Sequence, residues 1–178
     1  MKILAIDTSC DETSAAVTEG STILSSVVWS QASLHAKFGG VMPSLAQRMH
    51  EERIDWVIKR AINNSQLTIN NLDAIAVTVG PGLSIALGVG IDRAKKLAKE
   101  FQIPIIPVNH IEAHLFSPLI RPLSPKNLQP KIKYPAYGLV VSGGNTIFVL
   151  IEKAGQYKVL AQTVDDALGE ALDKGARM

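Results

Sequence analysis

The sequence predicts an α/β protein of two lobes, and three observations carry that prediction. Short apolar runs alternate with longer stretches of helical spacing. The order strand, polar loop, strand, glycine turn, strand occurs twice, over Lys2 to Ser26 and over Tyr137 to Gln162, at nearly equal lengths. Between the two copies the chain is rich in proline: seven of its nine prolines fall from Pro104 to Pro135.

The first copy begins with a short apolar run, Ile3 to Ile6, that stops at Asp-Thr-Ser-Cys-Asp-Glu-Thr-Ser. This is a buried strand followed by a polar turn. Ala15 to Thr18 is a second strand, Glu19-Gly20 a turn, and the β-branched stretch Thr22 to Trp29 a third, completing an antiparallel meander. Ser44 to Asn64 places Leu45, Met49, Ile54, Val57, Ile58, Ala61 and Ile62 at helical spacing. Ala74 to Val79 is continuously apolar, as in a strand covered on both faces. Gly80-Pro81-Gly82 turns the chain into a helix over Ser84 to Phe101. Ile105 to Val108 is a strand, and Asn109 is placed to cap a helix that starts at His110. Ser117 to Pro135 reads as an irregular crossing segment. Strands over Tyr137–Val141, Ile147–Ile151 and Tyr157–Gln162 follow, then a helix over Asp165–Arg177. The predicted domains are 1–108, 109–135 and 136–178. Two meanders, each followed by helices, match the architecture of actin, Hsp70 and sugar kinases, whose hairpin loops face nucleotide phosphates.

Composition narrows the function classes. Hydrophobic residues make up 47% and charged residues 19%, which excludes a disordered chain. A net charge of +2 is too small to argue a nucleic-acid partner on its own. The single cysteine, Cys10, forms no internal disulfide and points to a reducing, cytoplasmic setting. Asp7 interrupts the opening apolar run too early for a signal peptide. No stretch has the roughly 20 apolar residues of a membrane span.

Three constellations can carry chemistry. In His110-Ile111-Glu112-Ala113-His114 the two histidines fall about 40° apart on one helical face, the spacing two imidazoles need to share a metal. Glu112 points about 200° away, which argues against zinc-protease chemistry of the HExxH kind. Two histidines need a third ligand, and no local one is evident. The plain alternative is two ordinary histidines at a helix start. In Val140-Val141-Ser142-Gly143-Gly144-Asn145-Thr146 a strand delivers two glycines into a hairpin. Its backbone can approach a phosphate, and Ser142 and Thr146 add hydroxyls; an ordinary glycine hairpin is the alternative. The matching loop of the first copy offers Asp7, Asp11 or Glu12 for metal–phosphate or proton-transfer work. The third constellation is Asp166, Glu170 and Asp173, within about 60° on one helical face. It calls either for a cation opposite or simply for solvent and the helix dipole. Leu168, Ala171 and Leu172 would then face the core. His35, Lys37, Arg48 and His50 read as surface residues before site residues, and Phe38-Gly39-Gly40 as a flexible loop.

Six segments in order now acquire a common meaning: Asp7-Thr8-Ser9-Cys10-Asp11-Glu12-Thr13, Phe38-Gly39-Gly40-Val41, Gly80-Pro81-Gly82-Leu83, Asn109-His110-Ile111-Glu112-Ala113-His114, Val141-Ser142-Gly143-Gly144-Asn145-Thr146 and Asp165 to Lys174. Together they resemble the tRNA N6-adenosine threonylcarbamoyltransferase family (TsaD), formerly labelled O-sialoglycoprotein endopeptidases or glycoproteases. The resemblance covers essentially the whole chain. It implies an actin-like ATPase fold (ASKHA, RNase H-like). It also implies transfer of a threonylcarbamoyl group from its adenylate, threonylcarbamoyl-AMP, to N6 of an adenosine beside the tRNA anticodon.

By the same resemblance His110 and His114 are metal ligands, for iron or alternatively zinc. Val140, Val141, Ser142, Gly143 and Gly144 form the adenylate loop, where ATP or AMP also fits, and Asp173 is a ligand-binding aspartate. The implied partners are tRNA, a paralogous inert subunit and a small ATPase, with no membrane. Asp11 and Glu12 are the candidates for the base that takes the N6 proton. The family continues past Met178 with further nucleotide contacts and a third metal ligand, an aspartate. The first lobe is therefore expected to be complete and the second truncated, with an exposed sheet edge and no activity from this chain alone. The rival readings are a metalloprotease-type hydrolase, against which Glu112 speaks, and a non-catalytic scaffold paralogue, which would lack the paired histidines and the Ser-Gly-Gly loop. A sugar or acetate kinase would leave the histidines unexplained.

Overall fold

A computed structural model describes residues 1–120 and 132–176. The chain divides into two compact units. One is Met1–Ala113 together with Ile120; the other holds His114–Leu119 and the described residues from 132 onward.

The first unit is a five-stranded mixed sheet covered by two long helices. Strands β1 (Lys2–Asp7), β2 (Glu12–Glu19) and β3 (Thr22–Ser30) form the expected antiparallel meander. A four-residue helix α1 (Ala32–His35), not foreseen from the sequence, runs on into a 3-10 turn over Ala36–Phe38. Helix α2 (Pro43–Asn64) and helix α3 (Ser84–Phe101) flank strand β4 (Ala74–Gly80), and β5 (Ile105–Asn109) follows α3. The sheet order is β3-β2-β1-β4-β5, with β4 parallel to both β1 and β5.

Alternation fixes which face is buried. Leu4 and Ile6 of β1 point inward, as do Ala15 and Val17 of β2, each at most 2% exposed. They meet Ile54, Val57, Ile58 and Ala61 of α2 and Ala94 and Leu97 of α3. The helix α2 packs on β2 and β3, α3 on β4 and β1, and the two helices on each other. Strand β4 buries Ala74, Ile75, Val77 and Thr78, as its continuous apolar run predicts, while Val79 at its end is 45% exposed.

The second unit begins within helix α4 (His110–Phe116), which passes from one unit to the other between Ala113 and His114. Its sheet is the antiparallel ribbon β6 (Ala136–Val141), β7 (Thr146–Lys153) and β8 (Gln156–Gln162). The sequence repeat is thus real in structure. Each copy joins its first two strands by a loop of four residues (8–11 and 142–145) and its last two by a two-residue turn, Gly20-Ser21 and Ala154-Gly155. Leu115 packs beneath β6, where a Cβ on Gly138 would stand 2.5 Å from its Cδ2. The Phe116 ring meets Tyr157 edge-on at 6.1 Å. Val140, Val149, Ile151 and Ala167 are buried here, whereas Tyr137, Leu139, Phe148, Val159 and Leu160 are exposed.

The last helix departs from expectation. Helix α5 spans Leu168–Ala176, so Asp165 and Asp166 precede it. The reason lies in three hydrogen bonds. Thr163 Oγ1 donates to the Asp166 carbonyl, Leu168 N–H donates to Thr146 Oγ1 of β7, and the first helical bond runs from Ala171 N–H to the Ala167 carbonyl. A neighbouring strand, not the acidic run, starts the helix. The cation sought opposite the acidic residues is on the helix itself: Lys174 Nζ lies 2.6 Å from Asp166 and 3.2 Å from Glu170. Leu168, Ala171 and Leu172 do not reach a core; Leu168 is 48% and Leu172 66% exposed. Of the crossing segment, Ser117–Leu119 is a 3-10 turn, while residues 121–131, like 177–178, lie outside the described residues.

Candidate functional site

Parallel pairing decides where the polar ends of the first sheet meet. Because β1, β4 and β5 run the same way side by side, Asp7, Gly80 and Asn109 all end their strands at one edge. Open α/β sheets bind ligands outside the carboxyl ends of their strands. Three loops leave this edge: the acidic loop after Asp7, the glycine turn after Gly80, and α4 after Asn109.

The acidic loop is sewn down on both sides. Thr8 Oγ1 donates to the Ala86 carbonyl at 2.8 Å and accepts from Gly90 N–H at 3.2 Å. Leu83 N–H donates to the Ser9 carbonyl at 2.8 Å. Gly82 is required here, since a Cβ on it would stand 2.5 Å from that Ser9 oxygen. From α2, His50 Nε2 donates to the Cys10 carbonyl at 3.0 Å. A carbonyl only accepts, so Nε2 carries the proton and Nδ1 accepts from the Thr13 hydroxyl at 2.8 Å. His50 is fully buried, and burial pushes its pKa down despite the nearby Cys10 carbonyl, Asp7 and Asp11. It is a neutral strut.

His35 is built the same way. Met42 N–H donates to its Nδ1, so Nε2 donates to Gln31 Oε1 at 3.0 Å. Both histidines therefore correct the surface reading made from the sequence. Lys37 and Arg48 are exposed, as expected. The signal for His50 was present: it lies one turn from Ala46 and from Ile54, on the buried stripe of α2. Thr8, Ser9 and Thr13 stand in the first motif segment without a role of their own, because short hydroxyl side chains in a polar loop look solvated; all three are buried.

The loop's charges are unequal. The Glu12 carboxyl is pushed above the ordinary carboxylate range, first by burial and then by the charge of Asp11 and a hydrogen bond with it; the Ser30 hydroxyl, donating at 3.3 Å, opposes this. The Cys10 thiol is pushed up to about 12 by burial of its side chain and by Asp11 and Glu12, although the residue as a whole is exposed. It is no nucleophile at neutral pH.

Asn109 caps α4 as predicted, its Oδ1 accepting from Ile111 N–H at 2.9 Å and Glu112 N–H at 3.1 Å. His110 thereby opens the helix beside Asp7, with its Nδ1 3.7 Å from Asp7 Oδ1. Asp7 Oδ2 accepts from Ser9 Oγ at 3.0 Å, whereas Oδ1 is buried and makes no hydrogen bond. His114 follows four residues on along the same helix, hence on the same helical face. Among the described residues no three His, Cys, Asp or Glu side chains form a ready metal cluster. Two imidazoles one turn apart on one helical face are nevertheless a donor pair that a divalent cation takes, and a buried, unbonded carboxylate oxygen stands beside the first of them. The residues present fit the implied metal.

In the second unit the glycine loop closes on itself. Ser142 N–H donates to the Asn145 carbonyl at 2.8 Å, and Asn145 N–H to Ser142 Oγ at 3.0 Å. The two hydroxyls expected to face a ligand are thus engaged as acceptors, Ser142 by Asn145 and Thr146 by Leu168. A Cβ at Gly143 or Gly144 would meet nothing within 4 Å, so packing does not demand glycine at either place. Gly169 of α5 is different: a Cβ there would lie 2.6 Å from the Ser142 carbonyl oxygen. Helix α5 therefore braces the loop by direct backbone contact. Val140 is buried and Val141 exposed, and Asp173 stands exposed one turn beyond Gly169.

Comparison with known proteins follows the same lines. The sequence model of the family TsaD, tRNA N6-adenosine threonylcarbamoyltransferase, matches residues 22–178. The protein of that name from Protochlamydia amoebophila (strain UWE25) is 46% identical over 179 residues, covering all of this chain and 50% of the relative. That of Geotalea uraniireducens (strain Rf4) is 48% identical over 179 residues, again covering the whole chain and 50% of the relative. The chain thus spans about half the length of the curated relatives it matches. Among solved structures, YeaZ from Pseudomonas aeruginosa aligns over 91% of this chain and 66% of its own, with a TM-score of 0.55 at 17% identity. That likeness is one of fold: the chain has the actin-like α/β fold.

Proposed function

The chain belongs to the tRNA N6-adenosine threonylcarbamoyltransferase family, and from that premise we propose that the whole protein moves a threonylcarbamoyl group from threonylcarbamoyl-AMP to N6 of a tRNA adenosine. The observation that carries the reading is the meeting of the acidic loop, Asp7 to Glu12, with His110 at the carboxyl ends of β1, β4 and β5. A metalloprotease gains no support from this arrangement, because Glu112 is turned away from the histidine face.

In the proposed reaction the adenosine N6 attacks the carbamoyl carbonyl. An N–C bond forms, the C–O bond to the phosphate breaks, and AMP leaves with the bonding electrons. One N6 proton must be taken up. Glu12 suits that task, since a carboxyl raised above its ordinary range is a better base than a free one, and burial first and Asp11 second raise it. His110 and His114 would hold one divalent metal, iron in the first instance and zinc as the alternative. When bound, that metal supplies Lewis-acid polarisation of the carbonyl. Val140, Val141, Ser142, Gly143 and Gly144 would take the AMP phosphate, with Asp173 as a further nucleotide contact; the open space at Gly143 and Gly144 supports this.

The proposed partners are tRNA, a paralogous inert subunit and a small ATPase. We place the protein in the cytoplasm, where a tRNA substrate and a reduced Cys10 belong. No helix among the described residues is long and apolar enough to cross a membrane.

The test is nucleoside analysis of tRNA from cells depleted of their own enzyme and supplied with this one. N6-threonylcarbamoyladenosine should return with the native protein and stay absent with His110→Ala. Glu12→Ala should abolish transfer while leaving binding of AMP nearly unchanged. Full modification by either variant would remove that residue from the mechanism.

A further inference from the structure

Asp7 Oδ1 has no role in the scheme above, and its placement is costly. Leaving a buried acceptor unbonded costs folding free energy, and no hydrogen bond relieves it here. The strand end is clamped by the Thr8 and Ser9 bonds to α3 and its approach. The other carboxylate oxygen is held by the Ser9 hydroxyl at 3.0 Å, which fixes the plane of the group. What Oδ1 faces is a ring nitrogen, His110 Nδ1, at 3.7 Å. That is beyond the ~2.7–3.2 Å of a hydrogen bond, yet within reach of a small ring rotation. His110 is in turn fixed at the start of α4 by the Asn109 cap.

We propose that Asp7 is a positioning residue for His110. Its Oδ1 accepts a hydrogen bond from Nδ1–H, which holds the ring in the Nδ1–H tautomer and presents the Nε2 lone pair as the metal donor. Histidines that bind metals through one nitrogen almost always donate the other N–H to a carboxylate or carbonyl, and that partner orients the ring. This inference rests on the metal reading of His110 and His114, and it assigns Asp7 a task distinct from those of Asp11 and Glu12.

The experiment is long-range proton–nitrogen NMR of the uniformly 15N-labelled 178-residue chain at pH 8, first without metal and then with Zn2+ added. His110 should appear as the Nδ1–H tautomer. In Asp7→Asn and Asp7→Ala that preference should fall, while His35 and His50 keep their Nε2–H signatures and so report an intact fold. Zn2+ should attach to Nε2 of His110, and Asp7→Asn should weaken its binding about 10- to 100-fold. His110 as Nε2–H in the native chain would overturn the proposal, even if a variant failed to fold. So would Zn2+ on Nδ1, which would make Asp7 a neighbour of the metal itself. If the tautomer is as stated but Zn2+ does not bind to His110, the metal reading fails, and with it the positioning role. If Zn2+ binds and Asp7→Asn changes neither tautomer nor affinity, only the role of Asp7 fails.

Discussion

Replacing Gly169 by Ala tests whether α5 braces the glycine loop. A methyl group there would lie 2.6 Å from the Ser142 carbonyl oxygen, 2.8 Å from its carbon and 3.0 Å from Gly143 Cα. All three atoms are backbone, so no side chain can swing aside. Relieving the closest contact to an ordinary van der Waals distance requires loop and helix to part by about 0.8 Å, and overpacking of this kind costs ~1–3 kcal/mol. Against that stands the helix preference of Ala over Gly, at most about 1 kcal/mol and less at the second helical residue.

Gly175, in the same helix, is the control, because a Cβ there would meet nothing within 4 Å. Gly175→Ala should therefore be neutral or slightly stabilising, and Gly169→Ala should be ~1–2 kcal/mol less stable than native. Urea unfolding followed by circular dichroism, with hydrogen exchange at the amides of β6 and β7, reads the stability. Calorimetric titration with AMP reads the loop. A displacement approaching 1 Å in the loop proposed to hold the phosphate should weaken AMP binding at least tenfold in Gly169→Ala and leave it unchanged in Gly175→Ala. Equal stability and equal AMP affinity in the two variants would refute the bracing argument.

Three further outcomes follow from the acidic loop. His50→Ala should lose about 3 kcal/mol or more, from the cavity and from the unpaired Cys10 carbonyl and Thr13 hydroxyl; a loss under 1 kcal/mol in a urea melt would contradict the strut. Because the folded pKa of His50 lies below its ordinary 6.5, the unfolded chain binds the proton more readily. The native protein should therefore hold this stability above about pH 6.5 and lose it as pH falls below that, with a shallower slope in His50→Ala. Glu12 has the opposite sign of effect: its pKa is raised above 4.5, so ionisation costs the folded state as pH climbs through that value. Glu12→Gln should raise the urea midpoint at pH 7 and lose that advantage at pH 4 and below, and an unchanged or lower midpoint at pH 7 would sink it. Cys10, with its thiol at about 12 instead of 9.0, should react with iodoacetamide at pH 8 at least about 100-fold more slowly than a free cysteine; ordinary labelling kinetics would show that neither burial nor its acidic neighbours raise the thiol.

Strand and helix boundaries were legible wherever periodicity and local chemistry agreed. The helix Ser84–Phe101 begins and ends where its spacing says, Asn109 caps α4, and the repeated hairpins match in loop length. The start of α5 was misread for a definite reason: acidic residues favour a helix N-terminus locally, but Thr146, seventeen residues before Thr163, supplies the acceptor for Leu168 N–H. The histidines divided likewise. The spacing of His110 and His114 is visible in any helix, whereas the burial of His50 depends on what α2 packs against and that of His35 on its bonds to Gln31 and Met42. By itself, then, the sequence determined the strands, the long helices, the repeat, the family and the histidine face, because each is written in intervals of a few residues. Only the tertiary structure decided that Asp7 stands beside His110, that His50 props the acidic loop and that Gly169 touches Ser142. These are contacts across 27 to 103 residues, and strand order and helix packing, not local spacing, bring such distant positions together.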